Sequence, residues 1–136
     1  MPESGKNTAP VAAESFTVEL ESFGFKYGSA HGDLVFSARF LPNPYYVESL
    51  RPLTGRDREC ADYVFGFPIA VKTLQLLREL ILTQAKGFRR KGRTNLKACV
   101  GCTGGQHRSV AIIEALAKEI GAEGYAVTVR HRNLPV

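Results

Sequence analysis

The sequence predicts an α/β domain, a small mixed sheet packed with helices. Three observations predict it. Apolar residues alternate with polar ones at Phe16, Val18 and Leu20, the two-residue period of a half-buried strand. Ile69, Leu74, Leu77 and Ile81 fall near helical spacing. A buried strand, Leu96-Lys97-Ala98-Cys99-Val100-Gly101, runs through glycines into an amphipathic segment from Ser109 to Ile120.

The elements follow in order. Residues 1–15 are small and polar with nothing periodic to bury, so a flexible tail is expected ahead of a domain over 16–136. The Phe16 strand gives way to an aromatic and glycine loop, Phe23-Gly24-Phe25-Lys26-Tyr27-Gly28, and a turn-rich connector to Gly32. A second strand is expected over Asp33–Phe40. The two prolines of Leu41-Pro42-Asn43-Pro44 end it and open a long irregular stretch that runs through Leu50-Arg51-Pro52-Leu53-Thr54-Gly55. A loop this long in so small a domain, carrying Tyr45, Tyr46 and Arg51, is expected to be ordered and functional. A short helix covers Asp57–Phe65, and Pro68 opens a longer one to about Ala85. Lys86–Arg93 reads as a basic loop. After the Leu96 strand and the Ser109 helix, closed by Gly121, comes a last strand over Tyr125–Arg130. The closing strand-helix-strand unit should be a parallel pair with a right-handed crossover.

Composition bounds the function. The chain has 136 residues, 44% hydrophobic and 23% charged, which fits one core and excludes two full-sized domains or global disorder. No apolar run reaches the ~20 residues that span a bilayer. Residues 1–14 lack the apolar stretch of a secretory signal. A cytoplasmic protein without membrane contact is expected. Three cysteines give no disulfide framework and suit a reducing compartment. His31, His107 and His131 are scattered and no His/Cys cluster has zinc spacing, so neither a metal nor another cofactor is expected. The net charge of +5 fits an anionic partner, a phosphorylated small molecule or nucleic acid, and equally a soluble protein with a modest charge excess.

The chemistry concentrates in Gly101-Cys102-Thr103-Gly104-Gly105-Gln106-His107-Arg108-Ser109. A strand ending in glycines before a helix is where anions bind, because free amides point outward and the helix dipole is positive there. The glycines let the main chain approach a ligand closely. Arg108 offers a fork matched to phosphate, and Thr103, Gln106, His107 and Ser109 add donors. The loop is not a Walker A motif, since it lacks the Gly-Lys-Ser/Thr ending. Cys102 and Arg108 do have the Cys-x5-Arg-Ser spacing of cysteine-dependent phosphatases, in which a thiolate attacks phosphorus and the arginine clamps the oxygens. Gly101 stands where those enzymes usually carry histidine, and no general-acid aspartate loop is evident. Cys99-Val100-Gly101-Cys102 is a C-x-x-C, but Cys99 falls inside the strand and reads as structural.

Several segments together resemble one family. They are Ser22–Gly28, Asp33-Leu34-Val35-Phe36, Arg39-Phe40-Leu41-Pro42-Asn43-Pro44-Tyr45, Leu50–Gly55, the glycine loop with Val110, and His131-Arg132. In this order, over about Phe16–Leu134, they resemble the C-terminal domain of the RapZ/YvcJ RNase adapter family of nucleotide-binding proteins. The resemblance implies a fold similar to a sugar-phosphate-binding subdomain of phosphofructokinase. It implies a metabolite-sensing, RNA-binding adapter domain that binds glucosamine 6-phosphate and small regulatory RNA, and helps deliver the RNA to an endoribonuclease. The family's N-terminal domain, with its Walker A motif, is not in this chain. Carried over by motif, Thr103, Gly104, Gly105, His107 and Arg108 would contact phosphate, with Arg39, Asn43, Tyr45 and Arg51 on facing loops. Ser37 stands where the family typically has aspartate, a carboxylate that would pair with a sugar amine. Gln106 is neutral where a lysine or similar residue is usual. The basic run, with Arg89, Arg90, Lys91 and Arg93, is the candidate RNA contact; a solvated loop is the alternative. A homo-oligomer is compatible with all of this. The competing function is the phosphatase built on Cys102 and Arg108.

Overall fold

The computed structural model describes residues 16–135; the tail expected over 1–15 lies outside the described residues. Strands β1 (Thr17–Gly24), β2 (Leu34–Ser37), β3 (Asn95–Cys102) and β4 (Ala126–His131) form one sheet in the order β2-β3-β1-β4. Helices α1 (Arg58–Phe65), α2 (Pro68–Arg90) and α3 (Arg108–Ala122) complete the frame. Short 3-10 turns cover Phe25–Tyr27 and Pro44–Tyr46.

The α/β class is as expected, but the sheet is parallel throughout rather than mixed. The reason lies in the connections. No two strands are joined by a tight hairpin, so each strand returns to the same end before entering the sheet. The β2-to-β3 and β3-to-β4 crossovers advance in the same direction across the sheet, which puts their helices on one face. There Val18, Leu20, Leu96, Ala98 and Val100 meet Leu77 and Ile81 of α2 and Ile112, Ile113, Leu116 and Ile120 of α3. Each large side chain buried there contributes roughly 1.5–3 kcal/mol. The opposite face carries charge. Glu21, 4% exposed, is neutralised by Lys97 at 2.9 Å, and Asn95 donates to Glu19 at 2.7 Å.

Boundaries differ from expectation at three places. Helix α2 continues through the segment expected to be a loop, to Arg90. Gly87 costs about 1 kcal/mol in a helix, but Phe88 packs against the core and Gly92, at φ +92°, makes the stop. Helix α3 ends before Gly124 at φ +99°, with Gly121 inside it. Strand β2 is half its expected length: the Ala38 amide still pairs with the Gly101 carbonyl, but the chain then turns, the Leu41 amide donating to the Ala38 carbonyl at 3.1 Å. No helix among the described residues is long and apolar enough to cross a membrane.

Candidate functional site

The glycine loop leaves β3 at Cys102 and enters α3 at Arg108, at the C-terminal end of the parallel strands. Ligand crevices in open α/β sheets lie at this end. Close packing explains the glycines. A Cβ on Gly101 would stand 2.5 Å from the Phe23 ring, and one on Gly24 would meet the Gly104 backbone at the same distance. Gly105, at φ +71°, lies against the backbone of Phe23 and Gly24. Loop and β1 are thus pressed together, and the Lys26 amide donates to the Thr103 carbonyl at 3.2 Å. The amides of Thr103, Gly104 and Gln106 donate to no backbone carbonyl among the described residues. They stand ahead of the positive end of α3.

The loop borders an open cavity of about 300 Å³. Cys102, Thr103, Gly104, Gln106, His107 and Arg108 line it from the loop, with Lys26 beside Gly104; Asn43, Tyr45 and Tyr46 line it from the segment after β2. The Asn43 side chain accepts the Tyr45 amide at 3.1 Å and caps the 3-10 turn that carries both tyrosines. Their rings meet edge to face with centroids 5.7 Å apart. The expected residues Asn43 and Tyr45 are therefore at the cavity, while Arg39 and Arg51 are beside it. Arg39 stacks on the Phe25 ring at 3.7 Å and donates through Nε to the Ser37 hydroxyl. Arg51 donates to the Tyr45 carbonyl and covers its ring. Gly101, Gly105 and Ser109 shape the loop from beneath it.

Three loop side chains reach across to the long irregular segment. Arg108 is 5% exposed; its guanidinium donates to the carbonyls of Arg39 at 2.8 Å and Leu41 at 3.2 Å, and its Nε has no partner among the described residues. The Gln106 side-chain Nε2 donates to the carbonyls of Arg51 and Leu53, at 3.0 and 2.7 Å. His107 Nε2 lies 3.1 Å from the Arg51 carbonyl. Burial, against these carbonyl contacts, holds the imidazole below its ordinary pKa and so neutral. Gly55 completes the junction. Its amide donates to the Gln106 carbonyl, and a Cβ there would collide with His107 and Ala111 backbone atoms.

Cys102 is buried with its sulfur 3.2 Å from the Ser109 hydroxyl. Burial pushes the thiol up. The Ser109 hydroxyl, the amides of Ser109 and Gly105 and the charge of Arg108 outweigh it, and the pKa falls below the ordinary thiol value. Cys99 is buried and raised by desolvation, as a structural cysteine should be.

The basic run divides by its local partners. Arg93 makes a two-pronged bond to Asp33, at 3.0 and 2.8 Å, over the Phe88 ring; Arg89 lies over Tyr125. Arg90 and Lys91 remain exposed. This segment is at the opposite end of the eight-residue β3 from the glycine loop, about 25 Å away at ~3.3 Å per residue.

Sequence reading did not place Lys26 or Tyr46 among the site residues. The available signal was the Phe-Lys-Tyr triplet between two glycines. A second cluster is also only spatial: Ser22 Oγ, His131 Nδ1, His131 Nε2 and Glu114 form a chain with two 2.7 Å links. Ser22 is fully buried and no substrate reaches it, so the chain ties β4 to β1 and α3.

Comparison with known proteins places this geometry. The family model for the RapZ C-terminal domain matches residues 16–135. A nucleotide-binding protein of Bacillus licheniformis is 47% identical over 121 residues, 88% of this chain and 41% of that protein. The nucleotide-binding protein YvcJ of Bacillus subtilis is 45% identical over 130 residues, 95% of this chain and 44% of its own length. One from Listeria innocua is 46% identical over 120 residues, again 41% of its length. The chain thus spans under half the length of these relatives, and it belongs to the RapZ C-terminal domain family.

Proposed function

We propose that this domain is a metabolite-sensing adapter that holds a phosphorylated sugar of the glucosamine 6-phosphate kind against the glycine loop and offers a basic face to regulatory RNA. The observation that carries the reading is the set of open amides ahead of α3, with the exposed Lys26 side chain lying beside Gly104. Amides at a helix start and a nearby ammonium suit a phosphate dianion. Gln106, His107 and Arg108 join that loop to the Arg39–Leu53 segment, so an occupied loop and an empty one need not hold the segment alike. That is a route from ligand to RNA or protein partner, including the endoribonuclease implied by the resemblance. The buried free thiols fit work in the reducing cytoplasm. The relatives are named nucleotide-binding proteins, so a nucleotide is a second phosphate-bearing ligand to test.

Calorimetric titration with glucosamine 6-phosphate and inorganic phosphate tests the pocket. Binding should survive Cys102→Ser and weaken in Lys26→Ala. Absence of binding by the unaltered chain rejects the reading. RNA affinity that is unchanged at saturating sugar phosphate rejects the coupling.

The Ser109 contact to Cys102 favours one other reading, a cysteine-dependent phosphatase. The direction of Arg108 weighs against it, since its guanidinium holds the carbonyls of Arg39 and Leu41. Hydrolysis of an aryl phosphate, abolished in Cys102→Ser, would establish it.

A further inference from the structure

The cavity offers no anion for an amine. Among the described residues its walls carry Lys26 and Arg108 and no aspartate or glutamate. An ammonium on a ligand would leave water without gaining a carboxylate, in a cavity whose fixed charges are positive. Two neutral acceptors at or near the cavity are already engaged. Asn43 Oδ1 accepts the Tyr45 amide. Ser37 does not line the cavity, and its hydroxyl accepts from the Arg39 amide at 3.3 Å and Arg39 Nε at 2.9 Å.

The far wall is suited to something uncharged. Tyr45 and Tyr46 are 50% and 79% exposed at the rim, an unusual exposure for two adjacent aromatic rings. Such rings offer an apolar face and a hydroxyl to the same ligand. The volume of about 300 Å³ admits a monosaccharide phosphate.

We propose that this pocket selects a phosphate monoester on an uncharged sugar body, held between the loop amides with Lys26 and the Tyr45–Tyr46 rim, and gives no preference to an amine. The proposal rests on the sugar-phosphate reading of the cavity and narrows its ligand class. At neutral pH an amino-sugar phosphate is a zwitterion, and its ammonium weakens the attraction that the dianion alone would feel. Glucose 6-phosphate should therefore bind at least as tightly as glucosamine 6-phosphate.

The test is calorimetry on the whole chain with glucose 6-phosphate, glucosamine 6-phosphate and inorganic phosphate in one buffer. The expected result is two sugar-phosphate affinities within about threefold of each other, glucose 6-phosphate the tighter, and a weaker inorganic phosphate. A preference of about tenfold or more for the amino sugar overturns the proposal and leaves the pocket reading standing. Failure of both sugar phosphates to bind overturns the pocket reading as well. Tyr46→Ala, a change at a surface residue, should weaken both sugar phosphates and spare inorganic phosphate. Equal weakening of all three would reject the rim as the sugar-binding wall.

Discussion

The Ser109 hydroxyl stands 3.2 Å from the Cys102 sulfur, across the first turn of α3. Burial alone would raise this thiol; the hydroxyl, the amides of Ser109 and Gly105, and Arg108 bring it below its ordinary value. Ser109→Ala removes the largest of the lowering contacts. Thiolate absorbance followed against pH should then show the Cys102 transition moved upward, identified by its loss in Cys102→Ser. A transition that stays in place would mean that the hydroxyl is not a donor to the sulfur. Cys60 behaves oppositely. Desolvation, with Asp57 nearby, pushes it up to about 11, so its stabilising contribution is present below the ordinary thiol range and is lost as pH rises toward about 11.

His107 predicts an acid-side dependence. Burial lowers its pKa from the ordinary 6.5. The unfolded chain therefore takes up the proton first as pH falls. The stability carried by neutral His107 is complete above pH 6.5 and is lost as pH drops through the lower folded value. Melting temperature should fall over that range in the native chain and fall less in His107→Gln, after allowance for the carboxylates common to both. Parallel curves would show that His107 does not titrate with folding.

Gly55 predicts a packing cost remote from any ligand contact. A methyl there meets the backbone of His107 and Ala111, which cannot rotate away. Gly55→Ala should lower stability by about 2–3 kcal/mol, the upper part of the range for overpacking. Chemical denaturation measures it, and a change below ~0.5 kcal/mol would mean that the loop can lift off α3.

Lys26 and Arg39 separate cavity charge from neighbouring charge. Lys26 lines the cavity; Arg39 lies on Phe25 with Nε bound to Ser37. Lys26→Ala should weaken phosphate binding about tenfold, or ~1.4 kcal/mol, and Arg39→Ala much less. The reverse order would move the anion to the Arg39 side of the loop.

What could be read from the chain was local. The glycine loop announced its place because backbone geometry and donors are packed into nine consecutive residues, and the turn from β3 into α3 needs nothing from elsewhere. The helices were legible from their period, as was Pro68 at the start of α2. The family was legible from motifs in order along the chain. The continuation of α2 past Gly87 was not, because Phe88 gains its burial only against the assembled core. Nor was the full sheet: only the closing strand-helix-strand unit was expected to be a parallel pair, and β1 lies between its strands β3 and β4, since strand order depends on how connections cross a sheet not yet built.

Side-chain direction was the least legible. Arg108 and Gln106 looked like ligands to an anion, yet they hold carbonyls at Arg39, Leu41, Arg51 and Leu53, more than fifty residues earlier. Lys26 looked like part of a turn and lines the cavity. Period, glycine and proline act over a few residues, so most elements, the loop and the family could be read along the chain. Which donors remain open to a ligand follows from the assembled fold, because a buried donor takes the acceptor that the fold brings to it.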